Sequence, residues 1–345
     1  MVKKRYIPII AVWETTLNCN MKCLHCGSSA GRSREKELTT QEGLDLCRDL
    51  KKLGTRRVTL MGGEPLLRKD WYDFAKGIRN LGMNVTIISN GLLIDEKIVS
   101  QLVELDPYAV SISIDGGTKE THNSIRRVNT SFDKCIHNLE LLREANLPTS
   151  VVTTVHKQNF KELPKIRDFL LNKGIAWQIQ MAVPVGRFPE SFMLSKDEFY
   201  SVALFIASCR KKYSIKELPV MGAHNFGYNS KILPNIMILP WIGCQAGLTA
   251  IGIQSDGGIK GCLSLPDEFI EGNVRDQNII DIWNNPNSFS YNRNFKKEDL
   301  RGQCKECKYG KRCKGGCLTV SWSLTGKNHS NPYCLRLIEK ETIIT

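Results

Sequence analysis

Ten of the thirteen cysteines sit at spacings that suit metal ligation better than disulfide pairing. Cys19, Cys23 and Cys26 read C-x3-C-x2-C, and Cys244, Cys262, Cys304, Cys307, Cys313, Cys317 and Cys334 crowd the last hundred residues. A cubane iron–sulfur cluster wants four ligands. Three cysteines on one loop therefore leave one iron without a protein ligand, where a small molecule can chelate. Zinc is the competing reading, with His25 as a fourth ligand, but His25 lies between Cys23 and Cys26, too tight for a usual finger. The tail taken alone would also suit one or two zinc ribbons. An odd cysteine count in a chain of 345 residues argues against a secreted disulfide scaffold and for a reducing compartment, the cytoplasm. Cys47, Cys135 and Cys209 are different, each lying on the apolar stripe of a helix. Cys135 aligns with Phe132, Ile136, Leu139 and Leu142, and Cys209 with Phe199, Val202, Ile206 and Tyr213. Free cysteine packs as a small hydrophobe; the alternative for these three is donation of the thiol hydrogen atom.

The elements that must carry these residues alternate. Strand patterns at Ile7–Glu14, Arg57–Leu60, Asn84–Ser89, Ala109–Ile114, Thr149–Val155 and Ala176–Met181 interleave with helical patterns. The helices are expected at Gln41–Leu53, Trp71–Leu81, Glu96–Glu104, Phe132–Ala145, Lys161–Leu171 and Lys196–Tyr213. Thr39 with Glu42, and Ser195 with Glu198, read as capping boxes. Six βα units in series predict an α/β fold with a parallel sheet and outer helices, too few to close an eight-unit barrel and hence a partial (βα)6 TIM-like barrel over residues 1–213. Residues 214–243, with Pro219, Pro234 and Pro240, read as an irregular linker packed on the barrel. Residues 244–345 form a cysteine-rich C-terminal domain, opening with a hairpin in which Ala250–Gln254 and Gly258–Cys262 flank Asp256–Gly257. Short helices are expected at Ile279–Asn284 and Tyr333–Glu341.

Composition sets outer limits. Hydrophobic residues make up 41% and charged residues 24%, an ordinary globular balance, and no apolar run approaches the ~20 residues of a membrane span. The N-terminal apolar stretch is too short for a signal peptide and is read as the first strand. The net charge of +13 suits an acidic peptide or an acidic electron carrier, or only a solvated basic surface. No basic stripe interleaved with aromatics suggests nucleic acid.

The motif CNMKCLHC after the first strand resembles the signature of the radical S-adenosylmethionine superfamily, and the resemblance covers nearly the whole chain. Val58-Thr59-Leu60-Met61-Gly62-Gly63-Glu64-Pro65 resembles the family's GGEP segment, which implies that Gly62 and Gly63 admit backbone carbonyls to the methionine ammonium and that Glu64 complements its charge. Ser89-Asn90-Gly91 and Ser111-Ile112-Ser113-Ile114-Asp115-Gly116 end the next two strands, where relatives hold the cofactor's ribose and carboxylate; the implied contacts are Ser89, Asn90, Ser113 and Asp115. Arg126 or Arg127 resembles the arginine that pairs with that carboxylate. Gln180 and the turn Pro184-Val185-Gly186-Arg187 follow strand six as in many relatives. His25 departs from the usual aromatic before the third cysteine. The C-terminal array, C-x12-G-x4-C, then C-x2-C-x5-C-x3-C, then C, resembles the SPASM extension of the same superfamily, with Gly257 as its glycine. The resemblance implies three 4Fe–4S clusters: one on Cys19, Cys23 and Cys26, a first auxiliary on Cys244, Cys262 and Cys317, and a second on Cys304, Cys307, Cys313 and Cys334. The first auxiliary lacks a fourth cysteine, leaving an open iron or a remote ligand such as His224 or Asp256.

The implied chemistry is reductive cleavage of S-adenosylmethionine to a 5′-deoxyadenosyl radical, hydrogen abstraction from the substrate, and passage of the remaining electron to the auxiliary clusters. The electron donor would be of flavodoxin or ferredoxin type. Lys305, Lys308, Lys311, Arg312 and Lys314 crowd the second auxiliary group, as compensation for four thiolates or as a docking surface for an acidic carrier. Many relatives modify ribosomally made peptides by cross-linking, desaturation or epimerisation, the first expectation here. No separate domain precedes the first strand, so recognition would fall to another protein or to the basic barrel surface. Sulfatase-maturing relatives place an acidic base after the cysteine matching Cys262; Leu263 stands there and argues against that activity. The alternatives are oxidation or decarboxylation of a small molecule in cofactor or haem-type biosynthesis, and a non-catalytic iron–sulfur or zinc carrier.

Overall fold

The computed structural model describes residues 6–223, 225–226, 230–234 and 236–343. Strands β1 (Ile10–Thr16), β2 (Arg57–Gly62), β3 (Asn84–Ser89), β4 (Ala109–Ser113), β5 (Thr149–Val155), β6 (Ala176–Met181) and β7 (Val220–Gly222) lie side by side in chain order, all parallel. On the other side of β1 the same sheet continues through β8 (Ala250–Ile253), parallel to β1, and then through antiparallel β9 (Gly258–Lys260) and β10 (Gly272–Asn273). Helices α1 (Thr40–Lys52), α2 (Trp71–Asn80), α3 (Glu96–Leu105), α4 (Lys119–Arg126), α5 (Ser131–Glu144), α6 (Leu163–Leu170) and α7 (Lys196–Lys212) connect the strands. After the hairpin come α8 (Ile279–Asn284), α9 (Ser290–Arg293), α10 (Gly310–Cys313), α11 (Leu318–Thr325) and α12 (Leu335–Ile343). Both expected capping boxes form, at Thr39–Glu42 and Ser195–Glu198, each contributing about 1 kcal/mol to its helix. Among the described residues no helix is long and apolar enough to cross a membrane.

Alternation along the strands separates two faces. Trp13, Val58, Leu60, Val85, Ile87, Val110, Ile112, Val151, Trp177 and Ile179 are fully buried beneath the helices, with the Trp13 ring 4.7 Å from Phe74. The opposite face is only partly buried. On it stand Val12, Met61, Thr86, Ile88, Ser113, Ser150, Val152, Thr154, Gln178 and Gln180, open enough to meet solvent. That concave face is the interior of an open barrel.

Three features depart from the sequence expectation. Residues 214–243 are not purely a linker, because β7 pairs with β6 through Trp177 and Val220. The hairpin forms as expected, but β8 pairs with β1 from Ile10–Ala250 to Trp13–Ile253, so the barrel sheet runs into the C-terminal region rather than stopping at residue 213. Helix α4 is unforeseen; KETHNSIR carries no apolar stripe, yet Thr118 caps it by accepting from the Thr121 amide.

Topology also sets the cysteine groups apart. Cys19, Cys23 and Cys26 follow the C-terminal end of β1. Cys244 precedes β8, which starts opposite Ile10, and antiparallel β9 delivers Cys262 back toward that same end. Seven residues of β1 lie between, about 20 Å of extended chain.

Candidate active site

The loop after β1 is held by its own backbone and by a distant turn. Gly31 N–H donates to Leu17 O (3.0 Å). From the turn after β6, the Arg187 amide donates to Cys26 O (3.0 Å), its Nε to Cys23 O (3.3 Å) and its Nη1 to Ala30 O (2.5 Å). Gly186, at φ +62°, lies so close to the Cys26 and Gly27 carbonyls that a Cβ there would overlap them. The proline–glycine–arginine turn is therefore a clamp on the cysteine loop.

The GGEP segment closes on the same loop. Gly63 N–H donates to Thr16 O and Glu64 N–H to Asn18 O, both at 2.8 Å. Gly62 (φ +142°) and Gly63 have no room for a Cβ against the Thr16 and Asn18 carbonyls. Glu64 is completely buried, accepting from Ser89 Oγ (2.9 Å), Asn90 N–H (2.7 Å) and Leu66 N–H (3.2 Å). Burial pushes its carboxyl up to about 7 despite those donors. Asn90 donates to Asn20 Oδ1 (2.7 Å) and stands 3.9 Å from Cys19 Sγ.

A third set of contacts surrounds Asp115, at the mouth end of the strand β4 begins. Arg126 Nη2 lies 2.5 Å and His25 Nε2 3.2 Å from its Oδ2, while Oδ1 accepts from Thr154 N–H (2.8 Å). Burial alone would raise this carboxyl, but Arg126, with His25 beside it, outweighs burial and holds it well below the usual carboxylate range. Arg126 also reaches Cys23 Sγ (3.7 Å). Of the two candidate arginines, Arg126 is the buried one; Arg127 is exposed, ending α4 in a left-handed conformation. His122 accepts from the Asp115 amide and faces Ser131 Oγ, and burial pushes it down to about 3, keeping it neutral. Gln180 donates to Thr154 Oγ1 (2.9 Å), next to Asp115 in register, and Ser113 lies one interior position earlier on β4. The structure thus gathers Gly62, Gly63, Glu64, Ser89, Asn90, Asp115 and Arg126 round the cysteine loop. Asp115 has no exposed surface and its carboxylate is committed to holding Arg126.

The remaining clustered cysteines fall into two sets by electrostatic reach. Cys244, Cys262 and Cys317 interact with one another, as do Cys304, Cys307, Cys313 and Cys334. Cys19, Cys23 and Cys26 form the third set. All are free thiols, and among the described residues no three His, Cys, Asp or Glu side chains converge on a single-ion position. Burial pushes Cys19 up to about 11 and Cys244 up to about 12, so these thiols ionise only beside a cationic centre. Thiol sets of this kind, spaced within electrostatic reach, fit cubane clusters. Thr319 Oγ1 lies 4.0 Å from Cys262 Sγ. Tyr291 was not foreseen: its buried hydroxyl lies within electrostatic reach of Cys244 and Cys262, packs against Gly261, and its proton has no acceptor among the described residues. No spacing in the sequence marks it. Asp256 is 3.9 Å from Arg34 at the hairpin turn, and His224 lies outside the described residues. Cys47, Cys135 and Cys209 are buried in the core, with Cys135 Sγ donating to Asn90 O (3.2 Å) directly behind the site.

A parallel barrel-like sheet with a three-cysteine loop at its mouth, backed by a buried arginine–carboxylate pair, defines a cofactor-dependent enzyme of the open-barrel class. Residues 13–170 match the radical SAM superfamily and residues 244–308 the SPASM iron–sulfur cluster-binding domain. The chain is 30% identical to the AdoMet-dependent heme synthase of Methanosarcina barkeri over 97% of this chain and 98% of that one. It is 26% identical to the mycofactocin maturase MftC of Mycolicibacterium smegmatis, over 91% and 79%. Among solved structures, Streptococcus suis SuiB bound to S-adenosylmethionine superposes with a TM-score of 0.75 at 18% identity, covering 96% of this chain and 76% of that one. Native anSMEcpe with bound AdoMet gives 0.70 at 18%, over 97% and 95%. This chain belongs to the radical SAM superfamily and carries a SPASM domain; it is a radical SAM enzyme that uses S-adenosylmethionine and iron–sulfur clusters.

Proposed function

We propose that this enzyme carries three 4Fe–4S clusters and performs a two-electron oxidation of a peptide held inside the barrel. The observation that carries this reading is the placement of Cys19, Cys23 and Cys26 at one end of β1 and of Cys244 and Cys262 at the other, with the open interior between. Cys19, Cys23 and Cys26 would hold the cluster that binds S-adenosylmethionine. Cys244, Cys262 and Cys317 would hold the first auxiliary cluster, and Cys304, Cys307, Cys313 and Cys334 the second. Reductive cleavage of bound S-adenosylmethionine supplies a 5′-deoxyadenosyl radical, the agent that removes hydrogen from an unactivated carbon. Arg126, pre-set by Asp115, offers its guanidinium to the methionine carboxylate, and Glu64 answers the ammonium. Gly62 and Gly63 bring the β2 edge close enough for their backbone to take part. The clamp from Arg187 holds the loop in place. Free thiols throughout suit the cytoplasm.

The peptide reading rests on the interior chemistry. Thr86, Ser111, Ser113, Ser150, Thr154, Gln178 and Gln180 offer hydroxyls and amides suited to a neutral backbone. Apart from Arg126, which the methionine carboxylate would take, the cations of this region are largely engaged: Arg34 with Glu14, Arg187 through Nε and Nη1 with loop carbonyls, and Lys260 with Asp267 and Leu265 O. A second reading is oxidative decarboxylation of a carboxylated tetrapyrrole, favoured by the full-length similarity to the heme synthase of M. barkeri. Its carboxylates would find few free cations inside.

The experiment is anaerobic reconstitution, reduction and incubation with S-adenosylmethionine. Formation of 5′-deoxyadenosine, and loss of two hydrogens from a short peptide encoded beside the gene, is the expected result. Loss of carbon dioxide from a propionate-bearing porphyrin, with the peptide unchanged, would replace the first reading by the second. No 5′-deoxyadenosine with clusters intact would remove both.

A further inference from the structure

Two-electron oxidation of a peptide removes one hydrogen atom, one electron and one proton. The atom goes to the 5′-deoxyadenosyl radical and the electron to an auxiliary cluster, but the proton needs a base inside the barrel. Such a base must face the lumen, keep an oxygen free to accept, and stand clear of the cofactor's own partners. Most acids near the mouth fail on one count. Glu64 is enclosed by Ser89, Asn90 and Leu66, and Asp115 by Arg126, His25 and Thr154. Glu37 serves the cysteine loop, accepting from Thr16, Leu17 and Arg34, and Asp267 lies on the segment after β9, bound to Lys260 and Gln254.

Glu14 meets all three conditions. Alternation along β1 puts Trp13 against Phe74 beneath the helices and Glu14 on the lumen face with Val12. Its register partner on β2 is Met61, and a Cβ on the next residue, Gly62, would lie 3.1 Å from Glu14 Cγ. Glu14 thus stands beside the glycine edge that would meet the methionine ammonium, where the radical forms. Its carboxylate is divided. Oε1 takes every hydrogen bond the group makes, from Arg34 Nε (2.8 Å), Ser255 Oγ (3.1 Å) and Ser255 N–H (3.3 Å). Oε2 accepts none among the described residues, and it is not sealed in, unlike the unpartnered His25 Nδ1 and His156 Nε2 nearby. One oxygen fixes the group and the other is left for a guest. Elsewhere on the lumen face of β1–β7 the side chains are neutral, save Arg57 at the opposite end, whose guanidinium stacks 4.9 Å over Tyr108.

We infer that Glu14 is the general base of the oxidation and takes the substrate proton at Oε2. The inference rests on the peptide reading above. Loss of a C–H hydrogen atom to the 5′-deoxyadenosyl radical leaves 5′-deoxyadenosine and a carbon radical on the peptide. The peptide radical gives one electron to an oxidised auxiliary iron–sulfur cluster, and a neighbouring X–H group of the peptide gives its proton to Oε2. The X–H bond breaks, a C–X bond forms (a C=C bond where X is the adjacent carbon), and Glu14 ends protonated. Electron loss makes that X–H strongly acidic, so an ordinary carboxylate suffices. Arg34 and Ser255 keep Oε1 anchored, so Oε2 is pre-set to accept.

The test uses reconstituted, reduced holoenzyme with S-adenosylmethionine and the short peptide encoded beside the gene, deuterated at carbon throughout. Wild type carries deuterium into 5′-deoxyadenosine and oxidises the peptide. Glu14→Gln keeps an acceptor for Arg34 and Ser255. It should bind S-adenosylmethionine as wild type does and still place deuterium in 5′-deoxyadenosine. Its oxidation of the peptide should fall at least about 100-fold, the scale of a lost general base. Arg34→Gln breaks the same ion pair but spares the base, and should stay within about tenfold of wild type. Equal loss in the two variants makes Glu14 a mere prop for Arg34, and weakened S-adenosylmethionine binding in Glu14→Gln makes it a cofactor contact. Either result overturns the inference, as does oxidation of the peptide by Glu14→Gln at the wild-type rate. Should Glu14→Gln lose its iron, Glu14→Asp, which draws the carboxylate back by one methylene, must oxidise the peptide more slowly than Arg34→Gln, or the inference falls. A wild type that leaves the peptide unchanged and decarboxylates a propionate-bearing porphyrin strikes the peptide reading itself. Carbon dioxide then leaves in place of the proton, no base is required, and the inference goes with that reading.

Discussion

Arg126 and Asp115 form a buried ion pair, Nη2 to Oδ2 at 2.5 Å, at the junction of α4 with the end of the β4 segment. A buried cation that loses its counter-charge costs about 3–5 kcal/mol. Asp115→Asn should therefore lower stability in urea by about that amount, and saturating S-adenosylmethionine should return part of it, because its carboxylate can replace the missing charge beside Arg126. Arg126→Gln should gain nothing comparable from the ligand. Equal ligand stabilisation of the two variants would show that Arg126 does not face the methionine end.

Glu64 sets a pH dependence of definite sign. Burial raises its folded pKa from 4.5 to about 7, so between those values the folded state holds a proton that the unfolded state has released. This group's penalty is absent below about pH 4.5, grows as pH rises through the window, and is constant above about pH 7, reaching about 3 kcal/mol by the pKa difference. Glu64→Gln should remove that slope from the stability–pH curve of the ligand-free protein. An ammonium placed beside Glu64 favours the carboxylate, so S-adenosylmethionine binding at pH 6 should release a proton. Calorimetry in buffers of different ionisation enthalpy reads this directly; no proton release from wild type would separate Glu64 from the ammonium.

The clamp at Gly186 predicts a selective loss. Gly186→Ala must push a Cβ against the Cys26 and Gly27 carbonyls and take a positive φ that alanine disfavours. The loop carrying Cys19, Cys23 and Cys26 should loosen while the auxiliary sets, carried by other segments of the chain, stay intact. Iron should fall from about twelve toward about eight per chain, with 5′-deoxyadenosine formation falling at least about tenfold. Loss of all the iron together would mean that the three cysteine sets do not form independently.

What the sequence disclosed and what it hid follow the same physical line. The strand positions were legible because fully buried positions alternate with lumen positions, and Asn84–Ser89, Thr149–Val155 and Ala176–Met181 match their expected limits. Two cysteine-rich regions are legible because Cys19, Cys23 and Cys26, and Cys304, Cys307, Cys313 and Cys317, recur at short spacings, whereas the division of the C-terminal seven into two sets is implied only by the family resemblance. Strand β7 was hidden because three residues are too few to show a period. Helix α4 was hidden because its buried residues include His122, Asn123 and Arg126, held by polar contacts rather than an apolar stripe. The partner of Arg126 and the hold of Arg187 on Cys23, 164 positions away, are consequences of topology that no local pattern encodes. The resemblance implies Asp115 as a cofactor contact; its carboxylate contacts Arg126, His25 and Thr154, partners that no local pattern shows.

Tyr291 gives the last prediction. Its hydroxyl is buried within electrostatic reach of Cys244 and Cys262, wedged against Gly261, and its proton lacks an acceptor among the described residues. A buried donor left unmade costs about 1–3 kcal/mol, so an acceptor at this place is needed, and cluster or thiolate sulfur is what the neighbouring cysteines would bring. A hydrogen bond to sulfur stabilises the reduced, more negative cluster. Tyr291→Phe keeps the ring packed edge-on to Phe269 and removes only the donor. The first auxiliary cluster should then titrate at a lower potential in an EPR-monitored redox titration, with iron content and the other two signals unchanged. An unaltered potential would place the hydroxyl away from the cluster, whereas loss of iron from this set alone would show Tyr291 to be a ligand rather than a donor.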